Sequence, residues 1–237
     1  MKRLVVTVDG PAGAGKSTVS RRLAAELDYT YLDTGAIYRT VGLAVEQASR
    51  ELAERLDAAA TPAELRAEER ETLGNIARDL AIRFADAGTR VFLLERDVTT
   101  QIRTPAAGER ASRVSAVPEV RAALLELQRQ IGREGGVVVE GRDAGSVVFP
   151  AAAAKFFLTA TVDCRAGRRA AELRLRGHAV TDEEVTVEIK ARDARDAGRE
   201  ASPLISPAGA MEIDSSDLTI EEVVAKLARV VRAQEAS

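Results

Sequence analysis

Cysteine occurs once in the 237 residues, at Cys164, which excludes an internal disulfide framework and suits a reducing compartment. Charge of one sign is also missing: the formal net charge of −3 supplies no global basic field, so nothing points to nucleic acid as a partner. No apolar run approaches the length of a membrane span, and Met1-Lys2-Arg3 is expected to lead straight into the first strand, leaving no room for a targeting peptide. These absences together predict a cytoplasmic protein away from membranes. Lysine is scarce too, only five of the 34 basic residues. Arginine is therefore so common that a single one carries little information. Only arginines at motif spacing, or sharing a helix face, are informative. The one histidine, His178, stands in the turn Arg176-Gly177-His178, where a solvent-facing ring is expected and not a catalytic base.

What is present is ordinary for a globular chain: 46% hydrophobic and 30% charged residues, enough for one α/β domain with smaller insertions or two modest domains. The most informative stretch is Leu4 to Thr18. Its Val- and Leu-rich opening, bounded by Asp9-Gly10, reads as a short buried strand. Gly10-Pro11-Ala12-Gly13-Ala14-Gly15-Lys16-Ser17 then fills the G-x-x-x-x-G-K-[ST] template, with helical composition from Ser17 onward. The glycines let successive backbone N–H groups close on a polyphosphate, and the positive end of the helix adds to that field. Lys16 supplies a point charge and Ser17 a hydroxyl for Mg²⁺. A strand–loop–helix in this order predicts a nucleoside triphosphate site spanning Gly10 to Thr18.

Further along, Ser17 to Leu27 predicts a helix, Tyr29 to Leu32 a second strand, and Asp33-Thr34-Gly35-Ala36-Ile37-Tyr38-Arg39 a polar stretch where open α/β sheets place ligands. Tyr38 and Arg39 then lead into a helix running to about Leu56. Thr61-Pro62-Ala63-Glu64 has the form of a capping box and predicts a helix start. Ile82 to Phe84, Arg90 to Leu94 and Asp97 to Thr99 predict short antiparallel strands, and Thr104-Pro105 and Val117-Pro118 punctuate further helices. Gly136 to Glu140, Lys155 to Ala160 and Met211 to Asp214 restore the alternating pattern of a parallel sheet, closed by a helix capped at Thr219. Between the last two strands runs an excursion, Arg165 to Arg199, whose second helix starts at Thr181. There Arg192, Arg195, Asp196 and Arg199 fall on one face at i, i+3, i+4 and i+7, as an arginine-lined lid over a triphosphate requires.

The absence of Asp-x-x-Gly and Asn-Lys-x-Asp removes the parts of a GTPase switch. An apolar strand ending at Glu140 offers a metal-orienting acid, but Arg142 and Asp143 crowd behind it. That crowding suits an acceptor with its own phosphate, which is a usable nucleophile without a base because its second pKa is about 6. Many fixed cations and no histidine base are what joining two polyanions requires.

The chain resembles the bacterial cytidylate kinases, the CMP/dCMP kinases of the P-loop nucleoside monophosphate kinase group. The resemblance runs nearly end to end. It rests on VDGPAGAGKST (8–18), LDTGAIYR (32–39), DVTTQIRT (97–104), ASRVSAVPEVRAALLELQRQ (111–130), VVEGRDAGSVVFP (138–150), RAGRR (165–169) and IKARDARDAGR (189–199). It implies a P-loop NTPase fold of class α/β: a five-stranded parallel sheet flanked by helices, an insertion with a small antiparallel sheet, and a helical lid. The implied layout is a single kinase domain, 1–237, with core 1–75, 116–164 and 200–237, a monophosphate-binding insertion at about 75–115 and a lid at about 165–199. The insertion is expected to fold against the main sheet.

The same resemblance implies the site residues. Arg39, Arg142 and Arg199 would hold the acceptor phosphate with Arg192 nearby, and Thr34 and Tyr38 would line that pocket. Ser112, Arg121 and Asp143 would read the cytosine edge, and Asp196 with Arg192 the ribose. Arg195 and the lid arginines Arg165, Arg168 and Arg169 would face ATP and the migrating phosphoryl group, with Lys16 on the β/γ oxygens and Ser17 on Mg²⁺. Three positions depart from the common pattern: Thr34 replaces a serine, Glu140 an aspartate, and the segment before Asp97 lacks its usual glycine. The expected partners are ATP and CMP or dCMP, the expected state a monomer. Two alternatives stay open: a kinase of another acceptor such as UMP or shikimate, and a regulatory P-loop protein that holds ATP without transferring phosphate.

Overall fold

β-Branched Val5, Val6, Thr7 and Val8 stiffen an extended backbone, and Val5–Asp9 forms β1. Positive φ at Gly10, Gly13 and Gly15 folds the chain into a loop that opens directly into α1 (Lys16–Leu27). This computed structural model describes residues 3–199 and 202–236. Met1 and Lys2, expected to lead into β1, lie outside the described residues, as do Glu200 and Ala201, where the returning core was expected to start, and Ser237.

After β2 (Thr30–Asp33) come α2 (Thr34–Ala48) and α3 (Arg50–Ala58), where the sequence predicts a polar loop and then one helix. The polar stretch is itself the start of α2, because the Asp33 carboxylate accepts the Ala36 N–H at 2.9 Å and caps the helix. The break falls at Ser49, which adopts an extended backbone and accepts the Leu52 N–H at 3.1 Å, capping α3. A second correction concerns Thr61. Its side chain caps nothing, and Pro62–Glu64 is a single 3₁₀ turn. The Glu64 carboxylate instead accepts the Ala60 N–H at 3.1 Å, and α4 (Ala67–Arg78) starts later, where Glu69 accepts the Arg66 N–H at 2.7 Å.

β3 (Ile82–Ala85), β4 (Arg90–Leu93) and β5 (Arg96–Asp97) form the antiparallel sheet in that order, Ile82 opposite Leu93 and Leu93 opposite Arg96. β5 starts one residue earlier than predicted and stops at Asp97, because the Thr99 hydroxyl, not a strand backbone, accepts the Val91 N–H at 2.9 Å. α5 (Pro105–Val114) and α6 (Pro118–Ile131) each start on proline, whose missing N–H is harmless at that position. Then follow β6 (Val137–Glu140), β7 (Ala154–Thr159), the helical hairpin α7 (Val162–Leu175) and α8 (Asp182–Ala197), β8 (Met211–Asp214) and α9 (Ile220–Glu235). The capping boxes predicted at Thr181 and Thr219 both form.

The parallel sheet has the order β2-β6-β1-β7-β8, with Val8 beside Glu140 on one side and beside Phe156 on the other. β1 is central: the chain passes to β2 and β6 on one side of it and then to β7 and β8 on the other, which makes its carboxyl end the topological switch point. β1, β2, β6 and β8 end on Asp9, Asp33, Glu140 and Asp214, so that edge is lined with carboxylates.

The chain divides into two compact units. One runs up to Tyr31 and resumes at Glu134; the other is Leu32–Arg133, with β2 spanning the boundary and the segment expected at about 75–115 wholly inside it. The first unit is built on Val6, Val8, Leu23, Phe156, Leu158, Ile213, Leu227 and Val231, and α7 with α8 adds a small core of its own around Ala170, Leu173, Val185 and Ile189. The second unit packs Ala36, Leu43, Val91, Val98 and Ile102 around its antiparallel sheet. Among the described residues no helix is long and apolar enough to cross a membrane.

Gly10 is the tightest point of this arrangement. A Cβ there would lie 1.9 Å from the Leu158 carbonyl oxygen, and its φ is +144°. Backbone cannot step aside as a side chain can, so Gly10→Ala is expected to lower stability by about 2–4 kcal/mol. Urea unfolding measures this, and a change below about 0.5 kcal/mol, the range of an unconstrained surface substitution, would contradict the close approach.

Candidate active site

The loop between β1 and α1 gathers backbone donors at the switch point, and Lys16 lies buried behind it. The Lys16 ammonium donates to the Pro11 carbonyl at 2.7 Å, folded back on its own loop. Burial, and then the nearby Arg142 guanidinium, pull its pKa down to about 7, while Glu140 and Asp196 act in the opposite direction. A polyanion seated in the loop would reverse that balance. At the mouth of α1, Ser17 is exposed and its hydroxyl donates to Glu140 Oε1 at 2.7 Å.

Asp9 is fully buried at the end of β1. Its two carboxylate oxygens accept the Ala144 N–H at 2.8 Å and the Gly145 N–H at 2.7 Å. Burial raises its pKa to about 6, against the lowering effect of those two N–H groups. One side chain thus ties the root of the phosphate loop to the loop that carries Arg142 and Asp143. Gly145 permits this, since a Cβ there would come 2.6 Å from Thr7 Oγ1.

Arg142 reaches across to α8, its Nε donating to Asp196 Oδ2 at 2.9 Å, and Arg199, just beyond the helix end, pairs with the other oxygen of the same carboxylate. Asp196 is only 1% exposed. Burial alone would raise its pKa, but Arg142, Arg199 and Arg192 outweigh that and hold it below the usual carboxylate value. The predicted cluster Arg142, Arg192, Asp196 and Arg199 is therefore brought together, with Arg195 half-buried on the same helix.

The other lid arginines have their donors engaged by the protein. Arg165 is buried and donates to the Ala160 carbonyl at 3.0 Å and the Ala12 carbonyl at 2.9 Å, and pairs with Asp193 at 2.6 Å. Arg168 donates to Ser215, at 2.6 Å to its carbonyl, and Arg169 to Glu172 at 2.8 Å. Arg165 thus braces the back of the phosphate loop against the lid hairpin.

In the second unit, Asp33 both caps α2 and pairs with Arg39 at 2.6 Å. Arg39 keeps a buried Nε–H with no hydrogen-bond partner. Thr34 and Tyr38 are buried on the same helix, and the Arg121 guanidinium lies 5.6 Å from the Tyr38 ring centroid. Arg121 donates to the Ser115 carbonyl at 3.0 Å, and the Ser115 hydroxyl donates to the Ser112 carbonyl at 3.0 Å. The Ser112 hydroxyl is buried without a hydrogen-bond partner. A half-satisfied patch of this kind suits a polar ligand edge.

Sequence reasoning passed over Asp9, Tyr31 and Asp193. The one available signal was that consecutive strands end on acids at Asp9 and Asp33, just where ligands gather.

Comparison with known proteins finds relatives over nearly the whole chain. The family model for cytidylate kinase matches residues 6–233. A cytidylate kinase of Syntrophotalea carbinolica is 43% identical over 97% of this chain and 92% of its own length. Those of Caldanaerobacter subterraneus subsp. tengcongensis and Geobacter sulfurreducens are 45% and 44% identical, over 96% and 98% of this chain and 94% of each relative.

The buried Asp9 carboxyl makes a measurable prediction. Below about pH 4 it is protonated both folded and unfolded; as pH rises towards about 6 the unfolded chain releases the proton and the folded one keeps it. Its contribution to stability therefore falls as pH rises through that window, by at most about 3 kcal/mol. Asp9→Asn removes this component, so the wild-type minus variant difference in unfolding free energy should fall from pH 4 to pH 7 in urea titrations. A flat difference would show that the carboxyl is not buried as described.

Proposed function

The chain belongs to the cytidylate kinase family, and we propose that it moves the γ-phosphoryl group of ATP in line onto the phosphate of CMP or dCMP, giving ADP and CDP or dCDP. The observation that carries this reading is the cluster of Arg142, Arg192 and Arg199 around one buried carboxylate, in the same unit as the phosphate loop. A triphosphate and a monophosphate repel one another, and fixed guanidiniums are the means of holding both.

Lys16 and the backbone N–H groups of Ala12 to Thr18 stabilise the β/γ oxygens of ATP. For the acceptor phosphate we assign Arg142 and Arg199, with Arg192 nearby, and Arg39, with Thr34 and Tyr38 as further acceptor residues. Asp196 sets the two guanidiniums of Arg142 and Arg199 side by side and, with Arg192, serves the ribose hydroxyls. Ser112, Arg121 and Asp143 are assigned to the cytosine edge, so the segment at about 75–115 and the start of α6 form the base-reading element. No general base is needed, because the monophosphate is mostly dianionic at neutral pH. Arg195 is assigned to the migrating phosphoryl group. Arg165, Arg168 and Arg169 would first have to exchange their carbonyl and carboxylate partners for phosphate oxygens. The hairpin of α7 and α8, with its own apolar core, is suited to close as one body and exclude water.

Among the described residues no group of three or more carboxylate, histidine or cysteine side chains could cage a metal. That fits Mg²⁺, which keeps waters and substrate phosphates and takes one or two protein oxygens. Ser17 and Glu140, two hard oxygen donors 2.7 Å apart beside the loop, would hold it, directly or through its waters. Bound there, Mg²⁺ supplies charge neutralisation at the β/γ oxygens. Charged nucleotide substrates and the one free cysteine support a cytoplasmic setting.

A coupled ADP-release assay with CMP, dCMP, UMP and shikimate tests the reading: CMP and dCMP are expected to give the highest kcat/KM. Preference for another acceptor, or ADP release indifferent to all of them, overturns it. Arg142→Ala is expected to lower turnover by about 10³–10⁵-fold, as for other arginines that meet a transferring phosphoryl group, with an unchanged circular dichroism spectrum. Near-normal turnover in a folded variant contradicts the site assignment.

A further inference from the structure

Tyr31 lies on β2, next to β6 in the sheet, and is only 2% exposed. Its hydroxyl donates to Glu140 Oε2, while Glu140 Oε1 accepts the Ser17 hydroxyl at 2.7 Å. The carboxylate is thus held at both oxygens, by the serine that opens α1 and by a phenol from the adjacent strand. From α1 the Arg21 guanidinium lies 5.6 Å from the Tyr31 ring centroid, on the ring that carries this hydroxyl.

We infer that Tyr31 is a positioning residue for the Mg²⁺ of the bound nucleotide, acting through Glu140. A glutamate has one more rotatable bond than an aspartate, and a carboxylate that meets a hydrated metal must be held in one orientation to help bind it. The backbone of β6 fixes the Glu140 Cα, but only a partner at the far end of the side chain can fix its oxygens. Tyr31 is suited to this because its ring is locked in the core and its only adjustable part is the hydroxyl. Ser17 cannot do so alone, since it reaches only Oε1 and leaves Oε2 to Tyr31. The inference rests on the proposed use of MgATP.

The alternative is that Glu140 merely satisfies a buried phenol, so that Tyr31 matters for stability alone. ATP affinity, measured by isothermal titration calorimetry on the full chain with Mg²⁺ and again with EDTA, separates the two. In the wild type, Mg²⁺ is expected to tighten ATP binding. In Tyr31→Phe this tightening should shrink by about 10–100-fold, the range for partners that orient metal ligands, with EDTA-ATP affinity unchanged. KM for MgATP should rise while KM for CMP stays constant. Glu140→Gln should lose the same increment, and adding Tyr31→Phe to it should then cost nothing more, as for two residues acting in one chain. If Tyr31→Phe melts earlier but keeps the full Mg²⁺ effect, Tyr31 is structural and the inference fails. Should Tyr31→Phe not fold, Glu140→Gln alone decides: an unchanged Mg²⁺ effect removes the carboxylate through which Tyr31 is said to act. A wild type whose ATP affinity ignores Mg²⁺ would instead overturn the metal assignment beneath this inference.

Discussion

A single buried carboxylate, Asp196, holds the guanidiniums of Arg142 and Arg199 on its two oxygens, and the catalytic reading depends on that triad. Two guanidiniums about 5 Å apart at an effective dielectric of about 20 repel by roughly 3 kcal/mol. Neither would stay beside the other in a dry site without an anion between them. Such a buried triad adds little net stability, since desolvation offsets the attraction. Its value is geometric: the cations are already aligned when a phosphate arrives, so little reorganisation accompanies binding.

The same device recurs along the carboxyl edge of the sheet. Asp9 gathers two N–H groups from the loop after β6, Glu140 gathers two hydroxyls, and Asp33 caps α2 while holding Arg39. Each acid stands at a strand end; Asp9 and Glu140 take their donors from distant segments, and Asp33 takes its own from the helix that follows it. The buried ones cannot be left unsatisfied, so each loop is pinned where the chemistry needs it. The phosphate loop itself is backed by Arg165, whose guanidinium holds the Ala12 carbonyl and Asp193 together. The three lid arginines do mechanical work in this conformation, which separates them from Arg142 and Arg199, whose shared anion already lies among the site cations.

Local signals were legible where they are dictated by a few neighbouring residues. The phosphate loop, the apolar strand Val137–Glu140 and the capping boxes at Thr181 and Thr219 all appear where the pattern puts them. The box at Thr61 failed although it has the same Thr-to-Glu spacing, because Glu64 turned to the Ala60 N–H and Leu65 took an extended backbone. The helix break at Ser49 was hidden for a related reason. A serine inside a helical pattern reads as helix until its hydroxyl is seen to cap the next one.

From the order of residues alone came the phosphate loop, the alternation that makes a parallel sheet, the arginine face of α8 and the family blocks, because each is a short-range pattern of spacing and residue type. Only the tertiary structure decided which charges meet. Arg142 and Asp196 are 54 residues apart, Ser17 and Glu140 123, and Asp9 and Gly145 136. Arginine is too abundant in this chain for any of these partners to be chosen by composition. Choosing among them takes the sheet order, which sets β6 beside β1 and so brings those loops to one edge.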